Sequence, residues 1–244
     1  MKGVGSGHYK AHNLKYQFVT LLRSILQKNQ SKKDLHFVLL TDPKSVPYLA
    51  KILQKFIWRD TGKSPIKVTY DFVDTLSITK KYIKAISEIR PLFTSFAKEA
   101  KKYTDDLFLM GPFYHRVFPY EKMIFLDADL KFRIDVSELH DLFQDFDSKQ
   151  VIGVAVDLAA HYRIAFRHFR KQNPDTKVGE PGRLQGFNTG VALYHLENMR
   201  QSQLYNKYVN PVDGFEAVKS LADKYQYSSH LGDQVSVPQK SNIH

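Results

Sequence analysis

The chain contains no cysteine, which excludes disulfides, thiolate metal ligands and a cysteine nucleophile, and leaves the redox compartment open. It also lacks any apolar run approaching the roughly 20 residues that a membrane-spanning helix requires, and its mean hydropathy is −0.39. No basic-then-apolar leader follows Met1, because the opening MKGVGSGHYKAHN is polar and glycine-rich. Internal repeats and long low-complexity tracts are missing as well. What is there suits a packed domain: 244 residues, 43% hydrophobic, 13% aromatic and 25% charged. That aromatic content argues against disorder, and the length accommodates one α/β domain with a core.

Charge is uneven along the chain. Residues 1–104 carry 20 Lys/Arg against 7 Asp/Glu, whereas residues 105–244 carry 16 against 18. The lysines come as singles and pairs (Lys32-Lys33, Lys80-Lys81, Lys101-Lys102), not as long blocks interleaved with aromatics. A solvated basic face is therefore expected, and no nucleic-acid partner.

Apolar spacing predicts a helix over Leu14–Leu26 and another over Val46–Trp58. LHFVLLTD (Leu35–Asp42) and IKVTYDFVD (Ile66–Asp74) read as strands, and Asp106–Phe118 as a helix. KMIFLDADLKF (Lys122–Phe132) is the clearest buried strand, followed by VIGVAVDLA (Val151–Ala159) and GFNTGVALYHL (Gly186–Leu196). ENMRQSQLYNKYV reads as one further helix, and the basic, aromatic stretch from His161 to Arg183 as a loop. Alternating strands and helices point to an α/β architecture with a mostly parallel sheet, whose ligands bind beyond the strands' carboxyl ends.

Asp127-Ala128-Asp129 stands at such an end, directly after Met123–Leu126. Two carboxylates one residue apart on extended backbone share a side and repel unless a cation joins them. A hard divalent ion, with oxygen ligands shared between protein and a diphosphate, answers that repulsion. Three chemistries use the arrangement. A phosphatase with an aspartate nucleophile needs a hydroxyl or valine where Leu130-Lys131 follow, a two-metal nuclease needs further carboxylates, and a nucleotide-sugar transferase needs the pair itself.

A second motif decides among them. GFNTGVALYHLENMR (Gly186–Arg200) resembles the F-N-x-G-V-x-L-x-x-L-x-x-M/W-R signature of glycosyltransferase family 8. IFLDADLKFRIDVSELHDLF (Ile124–Phe143) is similar to that family's D-x-D strand and the loop after it, HFVLLTD (His36–Asp42) to its second strand, and HLGDQ (His230–Gln234) to its D-Q-D segment. Within the family the likeness is greatest to the xyloside xylosyltransferase branch. The resemblance implies a GT-A-like, Rossmann-type mixed sheet flanked by helices over residues 14–234, between a polar flexible terminus (1–13) and a polar tail (235–244). It implies a retaining, metal-dependent transfer of xylose from UDP-xylose, in α-1,3 linkage, to a xylose-glucose glycan on EGF repeats of Notch-like proteins. Mn2+ is the implied cofactor and the lumen of the endoplasmic reticulum the implied location.

By the same resemblance Asp127 and Asp129 are metal ligands, with Asp127 also beside the donor ribose. Asn188 and Gly190 line the donor sugar, and Asp233 and Gln234 lie near its anomeric carbon as the catalytic pair. Without the likeness, Asn188–Gly190 is a strand-entry turn and Asp233 a helix start. The departures are specific: Val235 replaces the third residue of D-Q-D, and MKGVGSGHYKAHN stands where the family has its first strand. The family's downstream metal-binding histidine and its membrane anchor have no counterpart, so the expectation is a chain truncated at both ends and weakly active or inactive. The alternatives are an inactive glycosyltransferase-like domain, a family 8 enzyme using UDP-glucose or UDP-galactose, and a metal phosphohydrolase. Gly3–Gly7 suggests a phosphate loop but has no preceding strand, and Asn29-Gln30-Ser31 is a glycosylation sequon. Tyr162, Arg163, Arg167, His168 and Arg170 form either a phosphate-facing loop or a solvated helix face. His115, His140, His161 and His195 lack metal-ligand spacing and read as structural.

Overall fold

The computed structural model describes residues 5–61, 66–90, 106–156, 166–178, 187–210 and 214–225. They divide between two compact units, residues 1–76 with 124–146, and residues 77–123 with 147–244. In the first unit, helix α1 (Gly5–Lys28) leads into strand β1 (Leu35–Thr41), helix α2 (Val46–Thr61) and strand β2 (Val68–Asp74). The two strands are parallel, with Leu35 opposite Val68 and Thr41 opposite Asp74, so α2 is the crossover that a parallel pair demands. Side-chain alternation then sorts the faces. Leu35, Phe37, Leu39, Val68, Tyr70 and Phe72 pack on Leu22, Leu26, Ile52, Leu53 and Phe56 of the two helices. Asp42 closes the turn before α2 by accepting from the Lys44 and Ser45 amides at 2.9 and 3.1 Å and from Ser45 Oγ at 2.6 Å.

The second unit takes most of helix α3 (Thr75–Ile89), a 3-10 turn (Phe108–Phe113) and helix α4 (Tyr114–Val117). Its three-stranded sheet has the order β3-β5-β4, with β3 (Lys122–Leu126) continuing past Met123 into the first unit. Tyr82, Ile86, Met110, Phe113, Tyr114, Leu193, Leu196 and Met199 are buried here. Tyr114 meets Tyr194 edge-on at 5.7 Å, and Tyr82 stacks on Phe113 at 4.9 Å. Strand β4 (Ile152–Val156) runs antiparallel to β5 (Phe187–His195), beside the parallel β1–β2 pair, so strands of both directions occur, as the mixed sheet of the resemblance implies. An apolar run records burial, not strand direction.

Other boundaries differ for local reasons. Helix α1 starts at Gly5, nine residues before Leu14, because extending an existing helix costs far less than nucleating one. The helix expected over Asp106–Phe118 becomes a 3-10 turn (Phe108–Phe113) that contains Pro112, followed by a single α turn (Tyr114–Val117), since proline lacks the N–H that a continuous α-helix would need there. The helix expected after β5 becomes α7 (Leu196–Gln201) and α8 (Gln203–Tyr208), divided at Ser202, whose Oγ accepts from the Tyr205 amide at 3.1 Å. Between these stand α5 (Val136–Asp141), a 3-10 turn (Leu142–Asp145) and α6 (Arg167–Gln172), and α9 (Gly214–Lys224) follows.

Candidate functional site

Strand β3 ends at Leu126, earlier than the expected Phe132. Asp127 is the first residue beyond it, and Ala128 and Asp129 form a turn, with both acidic residues exposed. The turn, not strand alternation, therefore brings the two acids near each other. Partial burial and the Asp129 charge push the Asp127 carboxyl above its ordinary range, and no donor or cation among the described residues offsets them. Two hard anionic oxygen donors with uncompensated mutual repulsion fit a divalent cation. Among the described residues no third Asp, Glu or His joins them to complete a protein-only metal shell.

The exit from this turn is tied to α1. The Phe132 amide donates to Ser24 Oγ at 2.9 Å, and three residues on, Asp135 accepts from the Ser31 amide at 2.7 Å and the Ser137 amide at 2.9 Å. Asp135 is buried and caps α5. Burial alone raises its pKa, but the bonds from Ser31 and Ser137 outweigh that and hold it down at about 2. A depressed carboxylate stabilises the fold above its unfolded value, and that stabilisation fades as pH falls toward 2. Asp135→Asn is accordingly expected to lose about 2 kcal/mol at pH 7. In urea titrations the gap from wild type should close steadily below pH 4, the ordinary value of an aspartate carboxyl being 3.8. A gap independent of pH would refute the assignment.

The sequon beside this anchor is engaged in its own loop. Asn29 is buried, its Nδ2 donates to the Lys33 carbonyl at 2.8 Å, and its Oδ1 accepts from Ser31 Oγ at 3.1 Å. The amide a glycan would occupy is therefore taken in the folded chain.

Asn188 and Gly190 lie in the second unit, within β5 rather than in a turn before it. The ladder with β4 pairs Val154 with Ala192 and then Ala155 with Asn188. Thr189, Gly190 and Val191 thus form a bulge, a device that re-aims side chains near functional sites. Asn188 Oδ1 accepts from the Gly190 amide at 3.0 Å, which fixes the exposed side chain and leaves Nδ2 as its donor end. Asp233 and Gln234 lie outside the described residues, as do His161, Tyr162, Arg163 and Gly186. Arg167, His168 and Arg170 are carried by the short helix α6, with Arg167 and His168 exposed.

His115, His140 and His195 have structural partners. Burial and the Arg116 charge lower His115 to about 4, so it is neutral beside Asn206, Tyr205 and Arg116. His140 packs edge-on against Phe143. His195 Nδ1 caps α7 by accepting from the Asn198 amide at 3.2 Å. Sequence reading gave Arg200 no role. Its guanidinium gathers the carbonyls of His115, Phe118 and Tyr120, the segment that enters β3. The one available signal was its place at the end of the second motif.

A mixed α/β fold with two exposed acids just past a strand is the setting of a GT-A-like nucleotide-sugar transferase. The crystal structure of mouse xyloside xylosyltransferase 1, apo form, superposes with a TM-score of 0.77 at 30% identity, covering 91% of this chain and 74% of that one. Residues 12–227 match Glycosyl transferase family 8, a range that includes both motifs and stops short of Asp233. The chain belongs to glycosyltransferase family 8. It is 35% identical over 219 residues to xyloside xylosyltransferase 1 of Mus musculus, covering 88% of this chain and 53% of the relative. The Homo sapiens protein of that name is 38% identical over 167 residues, 67% of this chain and 41% of the relative. Xylosyl- and glucuronyltransferase LARGE2s of Danio rerio is 28% identical over 192 residues, 78% of this chain and 22% of the relative. The chain thus spans about half the length, or less, of these curated relatives.

Proposed function

We propose that this chain is the donor-binding part of a retaining xylosyltransferase that moves xylose from UDP-xylose, in α-1,3 linkage, to a xylose-glucose glycan on an EGF repeat. The observation that carries the reading is the exposed Asp127–Asp129 pair, short of a cation, in a chain 35% identical over 219 residues to mouse xyloside xylosyltransferase 1. Asp127 and Asp129 would hold Mn2+. Such an ion, when bound, neutralises charge developing on the departing diphosphate. Asn188, held by its bond to the Gly190 amide, keeps its Nδ2 as the donor end for a sugar hydroxyl. By resemblance Asp233 and Gln234 belong beside the anomeric carbon. An amide is a poor nucleophile, so a same-face displacement, in which the leaving phosphate takes the acceptor proton, suits Gln234 better than a covalent intermediate. The proposed location is the lumen of the endoplasmic reticulum. Among the described residues no helix is long and apolar enough to cross a membrane.

The test is a donor screen. The chain is mixed with UDP-xylose, UDP-glucose or UDP-galactose, with and without Mn2+, and a xylose-glucose EGF acceptor, and acceptor mass is followed. One xylose added, only from UDP-xylose and only with Mn2+, supports the reading. Transfer from another donor reassigns the sugar. Mn2+-dependent UDP binding without transfer from any donor identifies an inactive domain.

A further inference from the structure

We propose that Ser24, a buried serine near the carboxyl end of α1, is a positioning residue for the metal-binding turn. The inference rests on the reading that Asp127 and Asp129 share a divalent cation. Those two carboxylates repel, so they meet around one ion only if the backbone between them is held. The turn is entered from Leu126 at the end of β3 and left at Phe132, whose amide donates to Ser24 Oγ at 2.9 Å. The same hydroxyl gives its proton to the Leu21 carbonyl at 2.8 Å. With the proton committed, a lone pair is what it offers Phe132, and the two bonds fix its orientation. Ser24 is itself immobilised, since Leu21, Leu22, Ile25 and Leu26 around it on α1 are all buried. Only five residues separate Leu126 from Phe132, so releasing the exit lets both carboxylates drift. Asp135, held by the Ser31 amide, repeats the tie but stands three residues further along the chain from the carboxylates than Phe132. The hydroxyl does not touch the cation. It acts through the backbone that carries the ligands.

The experiment measures Mn2+ binding to the whole chain in the presence of UDP, by loss of the free-ion electron paramagnetic resonance signal. Ser24→Ala is expected to weaken binding about 10-fold, the size typical of losing a group that orients a metal ligand. Ser24→Thr, which keeps the hydroxyl, should restore it. Thr20→Ala removes a comparable side-chain bond on the same helix, from Thr20 Oγ1 to the Tyr16 carbonyl at 2.9 Å, and should leave affinity unchanged. Melting temperatures are recorded in parallel, because a purely structural role lowers stability without weakening binding by the folded protein. Wild-type affinity in Ser24→Ala, beside loss in Asp129→Asn, overturns the positioning role and spares the metal reading. Wild-type affinity in Asp129→Asn overturns both. Should Ser24→Ala not fold, amide exchange in the unaltered chain decides. A protected Phe132 amide supports the tie, and exchange at the rate of a free amide eliminates it.

Discussion

Asp129→Asn is expected to lower Mn2+-dependent affinity for UDP at least about 100-fold, roughly 3 kcal/mol, and to leave the fold intact. The asparagine has nearly the same shape, but its amide oxygen lacks the anionic charge that a hard cation prefers. With no third acidic or histidine ligand among the described residues, each carboxylate supplies a large share of the protein's hold on the ion. Stability should not fall, because Asp129 is exposed and its charge is part of what raises the Asp127 carboxyl. Removing the neighbour brings Asp127 back toward its ordinary value. Isothermal titration of UDP with and without Mn2+, alongside urea unfolding, separates the two effects. Equal Mn2+-dependent affinity in mutant and wild type would end the metal assignment.

Arg200→Leu is expected to cost about 3 kcal/mol of unfolding free energy. The guanidinium donates to the carbonyls of His115, Phe118 and Tyr120 at 3.1, 3.2 and 2.8 Å, and pairs with Glu197 Oε2 at 2.7 Å. Those carbonyls lie in the stretch where α4 ends and the chain turns into β3, which no regular ladder satisfies. Leucine fills the space and leaves three acceptors without their donor. Water reaches the partly exposed site and recovers some of the loss, which keeps the figure below the sum of three charged bonds. Arg200→Lys should recover only part, because an ammonium cannot span three acceptors with a fixed fork. A change within about 0.5 kcal/mol, as for an ordinary surface substitution, would mean the gathered carbonyls are satisfied otherwise.

Much of the first unit was legible because its residues follow simple periods. The apolar run Leu35–Thr41 and the alternation in Val68–Asp74 read as strands, and the 3.6-residue spacing in α1 and α2 places Leu22, Leu26, Leu53 and Phe56 against them. Pro112 was equally visible, yet a helix was expected across it, and there the breaker won over apolar spacing. The direction of β4 was not legible, since an apolar strand reads the same both ways. Nor was the three-residue excess at Thr189–Val191, because a bulge is a mismatch between two strands and neither sequence alone contains it.

The sequence by itself determined the family, through Asp127-Ala128-Asp129 and Gly186–Arg200, and the residue types available for metal and sugar. Chemistry that depends on residue type and local order survives in one dimension. The tertiary structure decided which groups are already spent. It buries Asn29 in its own loop, commits His195 Nδ1 to a helix start, and gives Ser24 and Asp135 to the exit of the acidic turn. Such assignments join residues about a hundred positions apart, as Ser24 with Phe132 and Ser31 with Asp135. A hydroxyl or carboxylate has no preferred long-range partner until packing of the apolar residues around it brings one within 3 Å.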